Sequence, residues 1–539
     1  MRLFCLSVLI ALLSLFSSKA QEKDQLLIRV IASDTKQPIS YATIRFGDTQ
    51  KGVVANEGGD FKLPLDFKLD NKTIIISSIG FETLAISVGN FFSHKVNEVY
   101  LKPKVEELEA VLILSERKNT TKGNELNDPT TAKEIVRNAI ANIPENYPNQ
   151  PHSYIGYYRD YQVVNNDYYN LNEGILESFD AGFNTNKYAY KDNNTALYSY
   201  NLNTNFNLDT LLLNSIYGKS KSIATDNSAK LGREIQNELE ILNTHNPIRN
   251  FKIASFSFIY VLKHDFVRNH NFQISSIKYI EDEPLYEIDF VTVEDVNLRY
   301  VGSGKIFIAK SNYAIHKLEY GINDKGIGAE RRRPFSNKYL NGENKRFFEV
   351  AIEYKAIGSK MFLNYMTFNN RFVIKEPKPF EAKELIFNTG KKNFTIVFNN
   401  PVDKGSIKKR SNFRLYFKGK KLIVSDIKLK EKNKVTIDVI SWSAGEKVKI
   451  DEITDADFSF KLKRIKDTFG RVINKRTQFS GFQFREFFTQ EVFEDKKLSS
   501  KLVFVDKSKP LSASKVNDII DDLSKYWVNS PLKDTKPTQ

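Results

Sequence analysis

The sequence predicts a mainly β, multidomain protein: a small N-terminal β-sandwich, a central antiparallel sheet with covering helices, an inserted β unit, and a C-terminal strand and helix returning to the centre. Three observations carry this expectation. Short segments of alternating apolar and polar residues, bounded by Gly, Asn, Asp and Pro, recur along most of the chain. Helical periodicity is confined to stretches near residues 128–143, 231–239 and 513–528. A length of 539 residues with 41% apolar content, 40 Phe and 25 Tyr can build several aromatic-rich cores.

The first 20 residues read as a secretory signal. Arg2 gives a basic start, Leu3 to Phe16 an apolar run, and Ser18 and Ala20 small residues suited to cleavage before Gln21. The run is shorter than the roughly 20 residues that span a bilayer, and no later segment is longer, so no spanning helix is expected. The one cysteine, Cys5, leaves with this segment and takes with it any disulfide, thiolate nucleophile or thiolate metal ligand. The formal charge is +15, of which Arg2 and Lys19 belong to the signal. An exported basic chain would meet anionic lipid headgroups or acidic polymers sooner than nucleic acid. The expected location is the periplasm or the outer membrane.

Residues 21–103 form the first domain. Leu26 to Ile31, a turn at Asp34 to Pro38, and Ala42 to Phe46 read as a hairpin-like pair. Asn56-Glu57-Gly58-Gly59-Asp60 supplies glycines for a tight turn before Phe61-Lys62-Leu63. Thr73 to Ser77 and Leu84 to Val88 flank Gly80-Phe81, and Val96 to Leu101 ends the unit before Pro103. The order Pro38-Ile39-Ser40-Tyr41-Ala42-Thr43-Ile44, Gly52, Asn56 to Phe61, and Ile76-Ser77-Ser78-Ile79-Gly80-Phe81 resembles the carboxypeptidase-D regulatory-like family. Asn56 and Phe81 stand where that family usually has Asp and Tyr. The resemblance implies a transthyretin-like sandwich with a carbohydrate-binding-like fold, common at the front of Bacteroidetes envelope proteins and without chemistry of its own. Val105 to Ile113 resembles the acidic-apolar strand that links such domains to the next one in the chain.

Residues 104–380 carry the central sheet. Asp128 can cap a helix, Pro129 suits its first position, Ala132, Ile135, Val136, Ala139 and Ile140 form its apolar face, and Pro144 stops it. Tyr154 to Tyr161 and Tyr169 to Phe179 are aromatic strands. A further helix is expected around Leu231, Ile235 and Leu239, closed by His245-Asn246-Pro247. Leu285 to Phe290, Lys305 to Ala309, Ala314 to Tyr320, Phe347 to Ala356 and Met361 to Ile374 then favour an antiparallel meander with helices over one side. Such a sheet can curve into a half-barrel, an architecture resembling periplasmic lipoprotein carriers. An apolar concave face could hold a lipid, although a filled core uses the same residues.

Residues 384–476 form an inserted unit with short basic strands. Phe394-Thr395-Ile396-Val397-Phe398-Asn399-Asn400-Pro401-Val402-Asp403 and Asp467-Thr468-Phe469-Gly470-Arg471 resemble the bacterial Ig-like domains, with Asn400 and Arg471 departing from the pattern. The resemblance implies a spacer or adhesive sandwich. In residues 477–539, Gly481 to Val492 reads as a strand and Ala513 to Val528 as an amphipathic helix with Val516, Ile519, Ile520, Leu523 and Trp527 on its apolar side.

No catalytic constellation emerges. A catalytic zinc needs three protein ligands, and the one His-x-x-Glu pair, His316 and Glu319, falls on an alternating strand that would point the two to opposite faces. His264 and His270, flanking a strand, read as polar surface. Gly302-Ser303-Gly304-Lys305 is too short for a phosphate loop and opens a strand. Glu281-Asp282-Glu283 reads as a turn. No metal or other cofactor is called for. The candidate contact residues are cationic: Lys404, Lys408, Lys409 and Arg410, continued by Arg414, Lys418, Lys420 and Lys421, and the loop Arg331, Arg332 and Arg333. The expected function is a non-catalytic envelope binding or assembly role toward other envelope proteins or anionic polymers. A lipid carrier and a hydrolase with a dispersed site are the rival classes.

Overall fold

A computed structural model describes residues 25–47, 49–106, 131–208, 237–253, 266–293, 300–324, 345–375, 379–388, 390–391, 393–440, 452–475, 478–518 and 525–532. The expected signal segment, Leu231, Ile235, His264, Arg331 to Arg333 and Ile519 to Leu523 lie outside these residues. The fold is mainly β, with several separate sheets in two units: Met1–Phe372 with Gly481–Gln539, and Val373–Ser480. No described helix is long and apolar enough to cross a membrane.

In the first unit, the N-terminal residues build a sandwich of two sheets. One has Gln25–Ala32 between Asp60–Pro64 and Val96–Leu101; the other runs Gly52–Val54, Thr43–Phe46, Thr73–Ser77, Leu84–Ser87. Alternation puts Ile28, Val30, Ile44, Phe61, Ile74 and Ile76 in the shared core. The hairpin-like pairing expected of the first two strands is corrected. Gln25–Ala32 pairs in parallel with Val96–Leu101, while the chain crosses to the other sheet after the bridge Ile31 to Pro38. Gly59 has φ +73, and a Cβ there would lie 2.7 Å from the Val30 carbonyl oxygen, so this turn requires glycine.

The main sheet has twelve strands, antiparallel in every described pairing. Its order is Thr195–Leu197, Asp167–Asp180, His152–Val164, Gln478–Glu494, Lys360–Lys375, Lys345–Ile357, Ile315–Asp324, Tyr300–Ala309, Glu283–Thr292, His270–Ile280, Val105–Glu106, with Asn201–Leu202 beside Asp167–Asp180. The meander is local in sequence, but its centre is closed by Gln478–Glu494. Gly156 lets that strand come close, since a Cβ there would meet the Phe488 carbonyl oxygen at 2.3 Å.

Helices cover one face. Ala132–Ala141 starts at Thr131, not at Asp128: the Thr131 hydroxyl accepts from the Glu134 N–H at 3.3 Å, and the Glu134 carboxylate accepts from the Thr131 N–H at 3.0 Å. Pro144 does not end the helical region. It sits in the first turn of a second short helix, Ile143–Asn146, where its missing N–H costs nothing. Glu238–Thr244 adds Leu239 and Leu242. These helices pack on Tyr154, Leu363, Met366 and Phe487 and leave a cavity of about 20 Å³, room for a single water.

The other face takes the N-terminal sandwich and the tail. Bulges in three strands leave His316, Asn364 and Gln490 as extra residues and turn their side chains out of alternation. Tyr41, held at φ +58, stacks on Tyr365 at 4.8 Å. A left-handed aromatic residue is strained and persists only where packing enforces it. The expected last helix is corrected here. Ser514 to Asp518 is not helical, because the edge strand Thr195–Leu197 offers unpaired groups: the Asn517 N–H donates to the Leu197 carbonyl at 2.7 Å, and its amide bonds both N–H and carbonyl of Val503. Tyr526 to Ser530 then joins sandwich to sheet. The Trp527 indole N–H donates to the Lys62 carbonyl at 2.9 Å, its ring stacks on Phe46 at 5.3 Å, and its backbone is held by Gln490.

Two charge pairs cross the sheet centre on opposite faces, Arg159 with Glu486 and Asp160 opposite Arg485. Glu238 lies among the second set, accepts the Leu511 N–H at 2.7 Å, and is pushed up to about 8 by burial and then by Asp160. A raised folded value means that its contribution is complete below its ordinary value of 4.5 and is lost as pH rises through about 8. Glu238→Gln keeps a neutral side chain and removes that slope. Urea midpoints of wild type should therefore fall relative to the variant between pH 5 and pH 8.5, roughly the window bounded by the two values. Parallel curves over that range would rule the assignment out.

The second unit packs two antiparallel sheets around Phe394, Ile396, Phe398, Phe413, Leu415, Phe417, Val435 and Ile437. The larger runs Ala382–Asn388, Asn393–Phe398, Lys434–Val439, Val424–Glu431; the smaller runs Lys420–Lys421, Phe413–Phe417, Phe458–Leu462. The two positions that depart from the Ig-like pattern meet each other. The Asn400 amide oxygen accepts from Arg471 at 2.9 Å, while Arg471 also pairs with the buried Asp467 across the turn at Gly470.

Candidate functional site

Of the sequence-derived cationic residues, Lys404 to Lys421 lie on or beside the smaller sheet of the second unit. Lys404, Lys408, Lys409 and Arg410 are all exposed. They occupy a short helix, Lys404–Ile407, and the turn leading into Phe413–Phe417; Asp403 caps that helix by accepting the Ser406 N–H at 2.7 Å. With Phe413, Leu415 and Phe417 pointing inward, Arg414 and Tyr416 stand on the outer face. Across the ladder, Arg414 lies opposite Lys461, and Tyr416 lies between Lys421 and Ser459. The strand partner of Arg414 was invisible in the sequence, because pairing of Phe413–Phe417 with Phe458–Leu462 spans some 40 intervening residues and carries no local signal. A shallow groove beside it is lined by Lys463, Arg464, Lys466 and Lys475 with Leu462, Val472 and Ile473, and no carboxylate.

Four acids of this unit are engaged elsewhere. Asp426 and Asp438 lie 2.9 and 3.6 Å from Lys428, and Glu431 lies 3.0 Å from Lys434, all on the larger sheet, while Asp467 is buried with Arg471. The charge of the whole chain is correspondingly uneven. Val373–Ser480 holds 26 of the 80 Lys and Arg but 13 of the 65 Asp and Glu, a net +13 in 108 residues. The remainder, four times longer, carries +2, equal to Arg2 and Lys19 of the expected signal segment. Composition of the full chain conceals this; only the unit boundary reveals it.

His270 and His316 contribute no such surface. His270, expected at the surface, is buried: its ring meets Phe290 edge-on at 5.4 Å, Nδ1 lies 2.9 Å from the Phe266 carbonyl oxygen, and burial lowers it to about 4. His316 is the extra residue of its bulge and opens into a cleft against the N-terminal sandwich; Glu319 is held at 2.7 Å by Lys317. Burial lowers His316 to about 4 as well.

Residues 29–113 match the family model of the CarboxypepD_reg-like domain, which makes the N-terminal sandwich a domain of that kind. No curated protein matches the chain. Among solved structures, a LolA superfamily protein from Nitrosomonas europaea is similar over 45% of this chain and 86% of its own, with 9% identity and a TM-score of 0.18.

Proposed function

We propose that the protein is a non-catalytic binding and assembly component of the cell envelope, exported to the periplasm or the outer membrane, whose second unit engages an anionic partner. The Ig-like reading of that unit as an adhesive module fits this role. The observation that carries the proposal is the charge segregation: a net +13 held in 108 residues beside a remainder that is neutral once the signal segment is set aside. Random scatter of lysines for solubility would not leave the larger part balanced. Arg414, Lys461 and Lys421 have no carboxylate at ion-pairing distance among the described residues, so their field is directed outward.

The cavity described between Glu238–Thr244 and the main sheet, about 20 Å³, is too small for an acyl chain, so no carrier role is proposed for it. The test is retention of the mature protein on immobilised anionic polysaccharide and on anionic vesicles, as a function of salt. Retention should be strong at low salt and decline through about 0.15 M, where the Debye length is near 8 Å. The variant Arg414→Glu/Lys421→Glu/Lys461→Glu should elute at distinctly lower salt while unfolding like wild type. Equal retention of wild type and variant would overturn the proposal.

A further inference from the structure

We propose that the cleft between the N-terminal sandwich and the main sheet binds a small zwitterion of amino-acid size, its carboxylate between Arg45 and Lys355 and its ammonium on the Asn364 amide oxygen and the Glu353 carboxylate. The site is separate from the basic face of the second unit. The cleft measures about 180 Å³ and has one wall from Thr43–Phe46 and Gly52–Val54 and the other from Lys345–Ile357 and Lys360–Lys375. That is below the roughly 300–1,000 Å³ of sites for larger ligands and suits a molecule of about ten heavy atoms or fewer.

Two independent observations point to a ligand. The first is an unmet hydrogen-bond demand. Asn364, 1% exposed, uses its amide N–H groups on the Thr43 hydroxyl at 2.7 Å and Glu353 at 2.9 Å, which fixes its orientation and leaves Oδ1 without a donor. Thr489, equally buried and lining the same cleft, has an unpartnered hydroxyl. Buried acceptors left unpaired cost about 1–3 kcal/mol each, so a donor belongs there. The bulge at Asn364 is what turns its side chain out of the ladder.

The second observation is a pair of like charges. Arg45 from the sandwich and Lys355 from the sheet line the cleft, and neither has a carboxylate at ion-pairing distance among the described residues. Burial, and then Arg45, lower the Lys355 amine to about 8. A carboxylate between them removes that repulsion. The adjoining Glu353 is raised by burial against the pull of Lys317, and an ammonium at Asn364 Oδ1 would lie beside it. Two cations and an acceptor with a carboxylate on one lining match the two charges of a zwitterion, and neutral His316 lines the same cleft.

The test is titration calorimetry of the mature full-length protein with L-alanine, with acetate and methylamine as the separated halves. L-alanine should bind with saturable heat below about 10 mM, and acetate and methylamine at least about tenfold more weakly. Arg45→Gln, a half-exposed position, and Asn364→Leu should each weaken alanine binding about tenfold or more. Thermal unfolding without ligand checks that the variants fold, and Arg45→Gln keeps the test valid if Asn364→Leu does not. Absence of alanine binding, acetate binding as tight as alanine, or an unaffected Arg45→Gln would each overturn the proposal.

Discussion

Glu486→Ala destabilises the first unit by about 3–5 kcal/mol, because it strands a guanidinium in the middle of the main sheet. Arg159 and Glu486 face each other across His152–Val164 and Gln478–Glu494, 2.5 Å apart and at most 1% exposed. Arg159 lies 5.2–5.9 Å from the rings of Tyr157, Tyr161 and Phe488, and Glu486 is its carboxylate partner among the described residues. The pair is not fully satisfied. One guanidinium nitrogen of Arg159 and one carboxylate oxygen of Glu486 have no partner. Removing both charges together is therefore expected to recover most of the loss: Arg159→Met/Glu486→Leu should unfold within about 1–2 kcal/mol of wild type. Urea denaturation followed by tyrosine fluorescence measures both. A cost below about 1 kcal/mol for Glu486→Ala would mean that water reaches the pair.

Trp527→Ala should cost about 3 kcal/mol, the low end for an aromatic truncation, since the ring is only partly buried. Its effect should be concentrated on the join between sandwich and sheet. The ring packs on Phe46 at 5.3 Å and Phe67 at 5.9 Å, and Asn529 two residues on accepts from the Lys62 N–H at 3.0 Å and donates to the Val54 carbonyl at 3.1 Å. Hydrogen exchange should accelerate at the Lys62 N–H, which donates to Asn529, while the second unit is unchanged. Exchange that rises evenly throughout the first unit would show that the tail stabilises the sheet and not the join.

Where side-chain alternation alone decides structure, the sequence was sufficient. The sandwich strands, the meander from Glu283 to Lys375 and the strand through Gly481 to Val492 follow from period-two patterning and glycine-bearing turns. Pairing was not legible, because parallel contact of Gln25–Ala32 with Val96–Leu101 depends on residues some 70 positions apart. The tail misled for a related reason. Val516 to Trp527 has helical spacing, but Asn517 gains more by completing the edge of Thr195–Leu197. Of the candidate contacts, Lys404 to Arg410 could be read directly, whereas Lys461 could not. The cleft residues Asn364 and His316 owe their direction to bulges, and a bulge shifts alternation without any marker in composition.

The position of Gln478–Glu494 imposes an order of events on the chain. This strand sits between His152–Val164 and Lys360–Lys375, yet it comes after the whole of the second unit in sequence. Without this strand the described sheet would be two halves with open inner edges. The contiguous second unit can complete its own core before this strand arrives, while the first remains an unfinished acceptor. The last strand to emerge thus acts as a keystone, and the sandwich at the front of the chain receives its final clasp, Trp527, later still.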